Sequence, residues 1–404
     1  MNKSQSKGDF LQLQGQTNPF PFLIDVDRAE GIYIYDKEGK RYTDLIAGVA
    51  VNNIGHNHPM VISAIKEQLD RHMHVMVYGE FIQDAPLALA RRLTHHLPAT
   101  LNCVYTVNSG TEANEAALKL AKRITGRGRI VSCEGAYHGS THGSLSVSFN
   151  ETKKKPFKPL LPNIDFIRHN QSEDLSIITD DVAAVIIEPV QGDAGVRIAS
   201  KEYLQALRKK CNEVGALLIF DEIQCGMGRT GRLFAFEHNG VVPDILTLGK
   251  ALGGGMPIGA FVSSYENMQK LTHDPMLGHI TTFGGHPVVC AAANACLKVL
   301  EKTNWDEVEE KGKKLQLILE KSDEVLAIRR IGLMFAIDMH SEERVQKVVD
   351  KCLELGLITF WFLSHPNSFR LSPPLTISFE QIEEAGRLIL KAIQDTSLRE
   401  TRKI

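Results

Sequence analysis

The chain has no long apolar run and no excess of charge of one sign. Its 404 residues include 46 Lys and Arg against 48 Asp and Glu, so no polybasic surface is expected. The longest apolar runs, such as Val182–Ile187 and Ala216–Phe220, have the length of strands and are far too short to span a bilayer. Both absences argue against nucleic acid or a membrane as the main partner.

Closely spaced cysteine pairs are also missing. The seven cysteines are scattered and odd in number, which argues against a disulfide framework or a zinc site and fits free thiols in a reducing cytoplasm. His56-x-His58 and His72-x-His74 have no Cys or carboxylate cluster beside them, so no metal is expected. Met1–Asp9 is polar, without the apolar core of a signal peptide, and we expect it to be disordered or loosely docked.

Strand-like and helix-like segments alternate between about Leu101 and Ala292. The strand-like runs are mostly continuous rather than alternating in hydrophobicity, which is typical of parallel strands covered on both faces. The expected strands are Cys103–Val107, Ile130–Cys133, Val182–Ile187, Ala216–Phe220, Ile245–Leu248 and Ile258–Val262, and the clearest helices are Thr111–Thr125 and Lys201–Val214. This order predicts an open α/β sheet with helices on both faces and a ligand site beyond the carboxyl ends of its strands.

The sequence changes character after Glu301. Charged helical patterns surround short strands near Leu333–Asp338 and Phe369–Leu371, which predicts a second, smaller α+β domain. The expected helices are Trp305–Glu324, Glu342–Leu355 and Glu380–Ile393.

Polar residues follow the first of the expected strands at Asn108–Glu112. Gly110 lets an anion approach the start of the next helix, where free N–H groups and the helix dipole favour a phosphate. The hydroxyls of Ser109 and Thr111 can add donors. The alternative is an ordinary capping box, since Ser109 and Glu112 have the required spacing.

Two further strand ends carry Asp221 and Lys250. A carboxylate directly after five apolar residues needs a cationic partner, which a protonated pyridine nitrogen can supply, although a helix cap or an internal ion pair would serve equally. Lys250 lies between a buried strand and the glycines Gly253–Gly255, where a lysine can form a Schiff base with an aldehyde cofactor. Most lysines are simply solvated. The combination of phosphate cradle, carboxylate and lysine predicts a pyridoxal 5′-phosphate (PLP) site.

The same segments resemble the class III aminotransferases, closest to the acetylornithine, ornithine and putrescine enzymes. The likeness extends from about Gly31 to Ile393 and rests on the motifs Asn108–Lys119, Ile187–Gly192, Asp221–Gln224, Gly228–Gly231, Leu248–Gly255 and Thr282–Pro287. It implies PLP fold type I, which has a mostly parallel central sheet with helices on both faces and a smaller α+β domain from the chain ends. It also implies a homodimer with shared active sites. We accordingly expect an N-terminal segment at 1–54 that contributes to the small domain and the active site, a large domain at 55–300 and a small domain at 301–404.

The resemblance also assigns roles to residues. Lys250 would be the catalytic residue that carries the cofactor and acts as a general base. Asp221 would pair with the pyridine nitrogen, Gln224 would bond the 3′-oxygen, and Ile223 and Tyr137 would cover the two faces of the ring. The remaining expected cofactor contacts are Ser109, Gly110, Thr111, His138, Glu188 and, from the other subunit, Thr282.

Arg370 matches the arginine with which this family holds the carboxylate of glutamate or 2-oxoglutarate. Asp193 stands where related enzymes have a glutamate that masks this arginine, and Thr281 is a further expected substrate contact. The ornithine-type enzymes usually have an arginine after Tyr/Phe-His-Gly, whereas this chain has Ser140. We therefore expect transamination from an ornithine or N-acetylornithine-like donor to 2-oxoglutarate. A diamine such as putrescine or another ω-amine is the alternative donor, and a PLP aminomutase or racemase is a more distant alternative.

Overall fold

The computed structural model describes residues 3–397. Its strands are β1 Val26–Glu30, β2 Tyr33–Asp36, β3 Arg41–Asp44, β4 Cys103–Val107, β5 Arg129–Cys133, β6 Ile164–Ile167, β7 Val182–Ile187, β8 Val190–Gln191, β9 Arg197–Ile198, β10 Leu217–Asp221, β11 Ile245–Leu248, β12 Gly259–Ser263, β13 Ala327–Ile331, β14 Met334–Asp338, β15 Leu357–Ile358, β16 Phe360–Trp361 and β17 Ser368–Leu371.

The helices are α1 Lys3–Leu13, α2 Ala47–Ala50, α3 Pro59–Arg71, α4 Asp84–His96, α5 Gly110–Thr125, α6 His142–Val147, α7 Glu151–Lys154, α8 Lys201–Val214, α9 Tyr265–Met268, α10 Pro287–Leu300, α11 Trp305–Leu319, α12 Glu342–Glu354 and α13 Phe379–Asp395. Short 3₁₀ helices lie at Lys155–Phe157, Ser172–Ile177, Ala235–His238, Lys250–Gly253 and Gln269–Leu271. No helix among the described residues is long and apolar enough to cross a membrane.

A seven-stranded sheet forms the centre of the molecule, in the order β4-β12-β11-β10-β7-β5-β6. The neighbours β10, β11, β7, β5 and β6 run parallel, and β12 is antiparallel to both β11 and β4. Strands β7 and β11 are buried along their whole length, as their continuous apolar sequences predict. The expectation of a mostly parallel α/β sheet is therefore confirmed.

Helix α5 directs its N-terminus toward the carboxyl end of this sheet. It has a stripe of buried small residues, including Ala113, Ala117 and Ala121, that packs on the central strands. Ser109 caps its start, and Gly126 ends it in the left-handed conformation at φ 70°. The small side chains let the helix lie close to the sheet, which brings its first turn near the strand ends that carry Asp221 and Lys250.

Two smaller four-stranded sheets flank the central one. One has the order β1-β2-β3-β15 and so combines the N-terminal strands with Leu357–Ile358, and the other has the order β13-β14-β17-β16. The fully buried Arg229 ties these parts together, because its Nη1 donates to the carbonyls of Leu333 (3.1 Å) and Pro373 (2.7 Å) and its Nη2 to Asn53. The proposed boundaries at 54/55 and 300/301 stay predictions.

One sequence-based expectation about helices was wrong. The helix expected at Trp305–Glu324 ends at Leu319, and Ser322–Glu324 form a turn before β13. Within Met1–Asp9, the described residues from Lys3 onward belong to helix α1, and the expectation that this segment docks loosely stays a prediction. Residues 1–2 lie outside the described part of the chain.

Candidate active site

The first turn of α5 has the geometry of both a cap and an anion site. Ser109 Oγ accepts the Glu112 N–H at 3.3 Å, and Glu112 Oε2 accepts the Asn108 N–H at 2.7 Å. Ser109 therefore caps the helix, but Glu112 binds the N–H of Asn108 rather than that of Ser109, so these two residues form only half of the capping box. The cap pairs the Glu112 amide. Gly110 and Thr111 are the first two residues of a sixteen-residue helix, where backbone N–H groups lack partners within the helix and the helix dipole favours an anion.

The loop before α6 and the first turn of α6, residues 139–144, lie against the first turn of α5. Thr111 Oγ1 is 2.9 Å from Thr141 Oγ1 and accepts the Thr141 N–H at 3.4 Å. A Cβ atom at Gly139, whose φ is 134°, would lie 2.3 Å from Thr111 Oγ1. Only glycine leaves the space beside the Thr111 hydroxyl open.

Asp221 is held by three donors at the end of β10. Its Oδ2 lies 2.7 Å from both Asn114 Nδ2 and His138 Nδ1, and its Oδ1 accepts the Ile223 N–H at 3.0 Å. Because the carboxylate can only accept in its ionised form, His138 carries its proton on Nδ1. The three donors fix the carboxylate in a buried position, where it can meet a cationic nitrogen.

Asn114 and Thr247 support this carboxylate, and neither was among the expected site residues. Asn114 Oδ1 accepts the Thr247 hydroxyl at 2.8 Å, and the parallel register of β10 and β11 places Thr247 opposite Asp221. The sequence did carry a signal, because Asn114 interrupts the apolar stripe of α5 and a buried amide needs partners.

Lys250 follows β11 in a strained backbone conformation. Its φ is 43°, a left-handed value that is costly for a residue with a Cβ and is found mainly at functional sites. Burial lowers the pKa of its amine, while the charges of Asp221 and Glu188 act in the opposite direction. The amine has no hydrogen-bond acceptor among residues 3–397. A lysine in this setting can be a nucleophile at neutral pH.

Ile223 forms the floor between α5 and the strand end that precedes Lys250. A Cβ at Gly110 would be 2.8 Å from Ile223 Cδ1, and one at Gly249 would be 3.2 Å from its Cγ2. Gln224 lies beside Gly192, where a Cβ would be 2.1 Å from Gln224 Oε1. These glycines keep Ile223 and Gln224 in place at the carboxyl end of the sheet.

Glu188 and Tyr137 are joined by a hydrogen bond near the carboxyl end of the central sheet. Glu188 accepts the N–H groups of Tyr137 and Gly192, each at 3.0 Å, and burial raises its pKa to about 7. Tyr137 keeps 39% of its surface exposed and feels the charges of Asp193, Asp221 and Glu188. Its backbone is thus fixed on Glu188 while its ring remains partly exposed.

Arg370 and Asp193 form a buried ion pair at this cleft. Arg370 Nη2 lies 3.0 Å from Asp193 Oδ1, and only 7% and 6% of the two side chains are exposed. Arg370 also donates to the Trp361 carbonyl at 3.2 Å and lies over the Phe362 ring. The positive charge of Arg370 also acts to lower the pKa of Lys250.

The two expected threonines lie on another segment. Thr281 Oγ1 accepts from Asn108 Nδ2 at 3.2 Å and from the Gly284 N–H at 3.1 Å, so it braces the loop before α5. Thr282 is exposed on this chain. Their roles toward cofactor and substrate stay predictions. Among the described residues no group of three or more His, Cys, Asp or Glu side chains could hold a metal ion.

The residues at the cleft fit PLP. The open helix start at Gly110 and Thr111 can take a phosphate, Asp221 can pair with a pyridine nitrogen, and Lys250 offers an amine with no acceptor within the described chain. A Cβ at Gly139 would fill the cradle. The fold and site together define a PLP-dependent enzyme of fold type I.

Comparison with known proteins gives the family. The model of the class III aminotransferases matches residues 15–393. The chain is 41% identical to an acetylornithine aminotransferase of Methanopyrus kandleri, over 90% of this chain and 92% of the relative. It is 37% identical to a [LysW]-aminoadipate semialdehyde/glutamate semialdehyde transaminase of Sulfolobus acidocaldarius, over 92% and 95%. A solved ornithine aminotransferase of Toxoplasma gondii superposes with a TM-score of 0.90 at 30% identity, covering 98% of this chain and 96% of that one. The chain belongs to the class III aminotransferase family and acts with PLP on amine and oxo-acid substrates.

Proposed function

We propose that this aminotransferase moves the terminal amino group of an ornithine or N-acetylornithine-like donor to 2-oxoglutarate in a ping-pong reaction. The buried Arg370–Asp193 pair beside Lys250 and Asp221 carries this proposal. It supplies a guanidinium for the carboxylate of an oxo acid, and a carboxylate that neutralises this guanidinium when no acid is bound. The names of the acetylornithine and ornithine relatives support the donor class.

The roles of the cofactor contacts follow from their chemistry. PLP, when bound, supplies an electron sink for the carbon that carries the amine. Ser109, Gly110 and Thr111 would hold its phosphate, and Asp221 would pair with the pyridine nitrogen. Lys250 would hold the aldehyde carbon and then take and return the proton of the amine-bearing carbon. Glu188, Tyr137, Ile223 and Gln224 would keep the ring oriented.

His138 acts on Asp221 rather than on substrate. Its Nδ1 is 2.7 Å from Asp221 Oδ2, beside the amide of Asn114 at the same distance from that oxygen. Both donors fix the position of the carboxylate. A carboxylate fixed there would pair with a protonated pyridine nitrogen, which maintains the electron sink.

Asp193 and Arg370 would let one site take two kinds of substrate. With Asp193 on Arg370 the pair is neutral and suits an amine donor, and with Asp193 displaced the guanidinium can bind a carboxylate of 2-oxoglutarate. Asp193 also accepts from the Leu363 N–H (3.1 Å) and the Ser364 hydroxyl (2.7 Å), which hold it in the position that masks Arg370.

A homodimer with shared sites is part of the proposal. Segments 73–82 and 276–283 meet at the Tyr78 N–H, which donates to the Thr281 carbonyl at 3.3 Å, and His74 packs on Phe283. They expose a cluster of large apolar residues next to Thr282, as an interface would require: Met73, Val75, Met76, Phe81, Ile82, Met276, Leu277, Ile280 and Phe283. Thr282 would then reach the phosphate of the other subunit's site.

A diamine donor is the second candidate. Ser140, at the loop that contacts Thr111, is exposed and uncharged, so it offers no cation to a donor carboxylate. Glutamate formation from 2-oxoglutarate, measured side by side with ornithine, N-acetylornithine, putrescine, lysine and 4-aminobutyrate, tests the proposal. We expect the highest kcat/KM with ornithine or N-acetylornithine. A preference for putrescine would replace the proposal with the diamine reaction, and no glutamate from any donor would favour a mutase or racemase.

A further inference from the structure

Lys153 is a half-buried lysine on the segment 150–154. It belongs to the short helix α7, and it has no carboxylate at ion-pair distance among the described residues. The neighbouring lysines differ from it. Lys154 is buried and donates to the Ser146 carbonyl at 3.0 Å, and Lys155 is exposed.

The segment that carries Lys153 is fastened to the Arg370–Asp193 pair. Asn150 Oδ1 accepts the Lys153 N–H at 3.3 Å, and Asn150 Nδ2 donates to Ser364 Oγ at 3.4 Å. The Ser364 hydroxyl in turn donates to Asp193 Oδ2 at 2.7 Å. Three hydrogen bonds thus connect the backbone of Lys153 to the carboxylate that masks Arg370.

The charges around Lys153 would let its ammonium group bind a further anion. Burial lowers the pKa of the Lys153 ammonium, Asp193 acts to raise it, and Arg370 lowers it. Asp193 already pairs with Arg370, so it does not serve Lys153 as an ion-pair partner. A second carboxylate would replace the hydration that Lys153 loses on burial.

We propose that Lys153 is a specificity-determining residue that binds the carboxylate of the amine donor, at the end remote from the reacting amine. The inference rests on the proposed function and deepens it. The hydrogen bonds from Lys153 through Asn150 and Ser364 to Asp193 bring its segment to the Arg370–Asp193 pair. While Asp193 masks Arg370, Lys153 supplies the positive charge that an ω-amino acid needs and a diamine does not.

Lys153→Met tests the proposal, with Lys155→Met as the control because Lys155 is exposed on the same segment. In Lys153→Met we expect KM for ornithine and N-acetylornithine to rise on the order of tenfold, as for loss of a charged hydrogen bond. KM for putrescine should not rise, because its remote ammonium would be repelled by Lys153 rather than bound. Lys153→Arg retains the charge and should restore most of the affinity. Lys155→Met should behave as wild type.

An unchanged KM for ornithine, or an equal rise for ornithine and putrescine, would overturn the assignment. Isothermal titration with ornithine, comparing Lys153→Met in a Lys250→Ala background with Lys250→Ala alone, measures binding without turnover. A roughly tenfold weaker binding in the double variant supports the proposal, and equal binding overturns it. If the wild type makes no glutamate from ornithine, the proposed function fails, while this titration still decides the role of Lys153.

Discussion

Arg370 Nη2 lies 3.0 Å from Asp193 Oδ1, and this buried ion pair adjoins the reactive end of the central sheet. An isolated buried guanidinium would be costly, so Asp193 stabilises the fold while it blocks the position where an oxo-acid carboxylate would bind. The same contact thus links stability to substrate choice.

Asp193→Ala should separate these two effects. The variant leaves Arg370 buried without its carboxylate, and we expect the free energy of unfolding to fall by about 3 kcal/mol. KM for 2-oxoglutarate should fall, because the clamp no longer has a competitor. Added 2-oxoglutarate should then raise the melting temperature of the variant more than that of the wild type. The exposed Asp180→Ala variant is the control, and equal ligand stabilisation of Asp193→Ala and wild type would refute the masking role.

Asp221→Asn should lose most of the activity with the fold intact. The amide keeps the shape of the side chain but removes the charge held by Asn114, His138 and the Ile223 N–H. We expect kcat to fall by at least roughly 10²-fold, the scale for losing one electrostatic partner of a reacting group. Asp181→Asn, at an exposed aspartate, should leave kcat unchanged. A kcat within a few fold of wild type for Asp221→Asn would show that the reaction does not need the negative charge of Asp221 beside the cofactor.

Gly192→Ala should disturb the site through packing. The added Cβ would lie 2.1 Å from Gln224 Oε1 and must push the carboxamide away from its position. We expect kcat/KM to fall roughly 10²-fold, as for a displacement of about 1 Å near the reacting groups. Gly128→Ala provides the matched control, because its Cβ would meet no atom within 4 Å. Equal steady-state kinetics in the two variants would contradict the placement of Gln224.

Glu222 should make stability depend on pH. This buried acid accepts the N–H groups of Ala235 (2.5 Å) and Phe236 (2.7 Å), and burial raises its pKa from 4.5 to about 8. The folded state therefore holds a proton that the unfolded state releases, and its contribution to the free energy of unfolding decreases as the pH rises from about 4.5 to about 8.

Chemical denaturation across this range, for wild type and Glu222→Gln, measures the effect. The variant cannot ionise, so the difference in unfolding free energy should shift in its favour as the pH rises. Glu213→Gln, at an exposed position, is the control. A difference that does not change with pH would mean that Glu222 ionises in the folded state as readily as in the unfolded state.

Most strands of the central sheet were predictable because they are continuous apolar runs. Val182–Ile187 and Ile245–Leu248 match the predicted bounds, and the helix after Ser109 starts one residue earlier than expected. The strand Ile164–Ile167 was not predicted, since it is short and contains a charged residue. The exposed residues of Val26–Glu30 likewise give no strand pattern, and their pairing with Tyr33–Asp36 decides their structure.

The site residues at the ends of strands were predictable, but the contacts between site residues that are distant in the sequence were not. Asp221 and Lys250 each stand at the end of an apolar run, which local sequence shows. The contact of Asn114 with Asp221 depends on how α5 crosses the sheet. The hydrogen bonds from Asn150 to Ser364 and from Ser364 to Asp193 depend on where the segment 150–154 folds back. Such contacts between distant residues arise from tertiary packing, which no local pattern encodes.

Reduction of the PLP-loaded enzyme with borohydride, followed by proteolysis and mass spectrometry, tests the assignment of Lys250 most directly. Reduction converts a Schiff base between the lysine and PLP into a stable bond, so the peptide that contains Lys250 should gain the mass of the reduced cofactor. Lys250→Ala should lose this label, the visible absorbance of the bound cofactor and turnover. A label on another lysine, or unchanged absorbance in Lys250→Ala, would contradict the account.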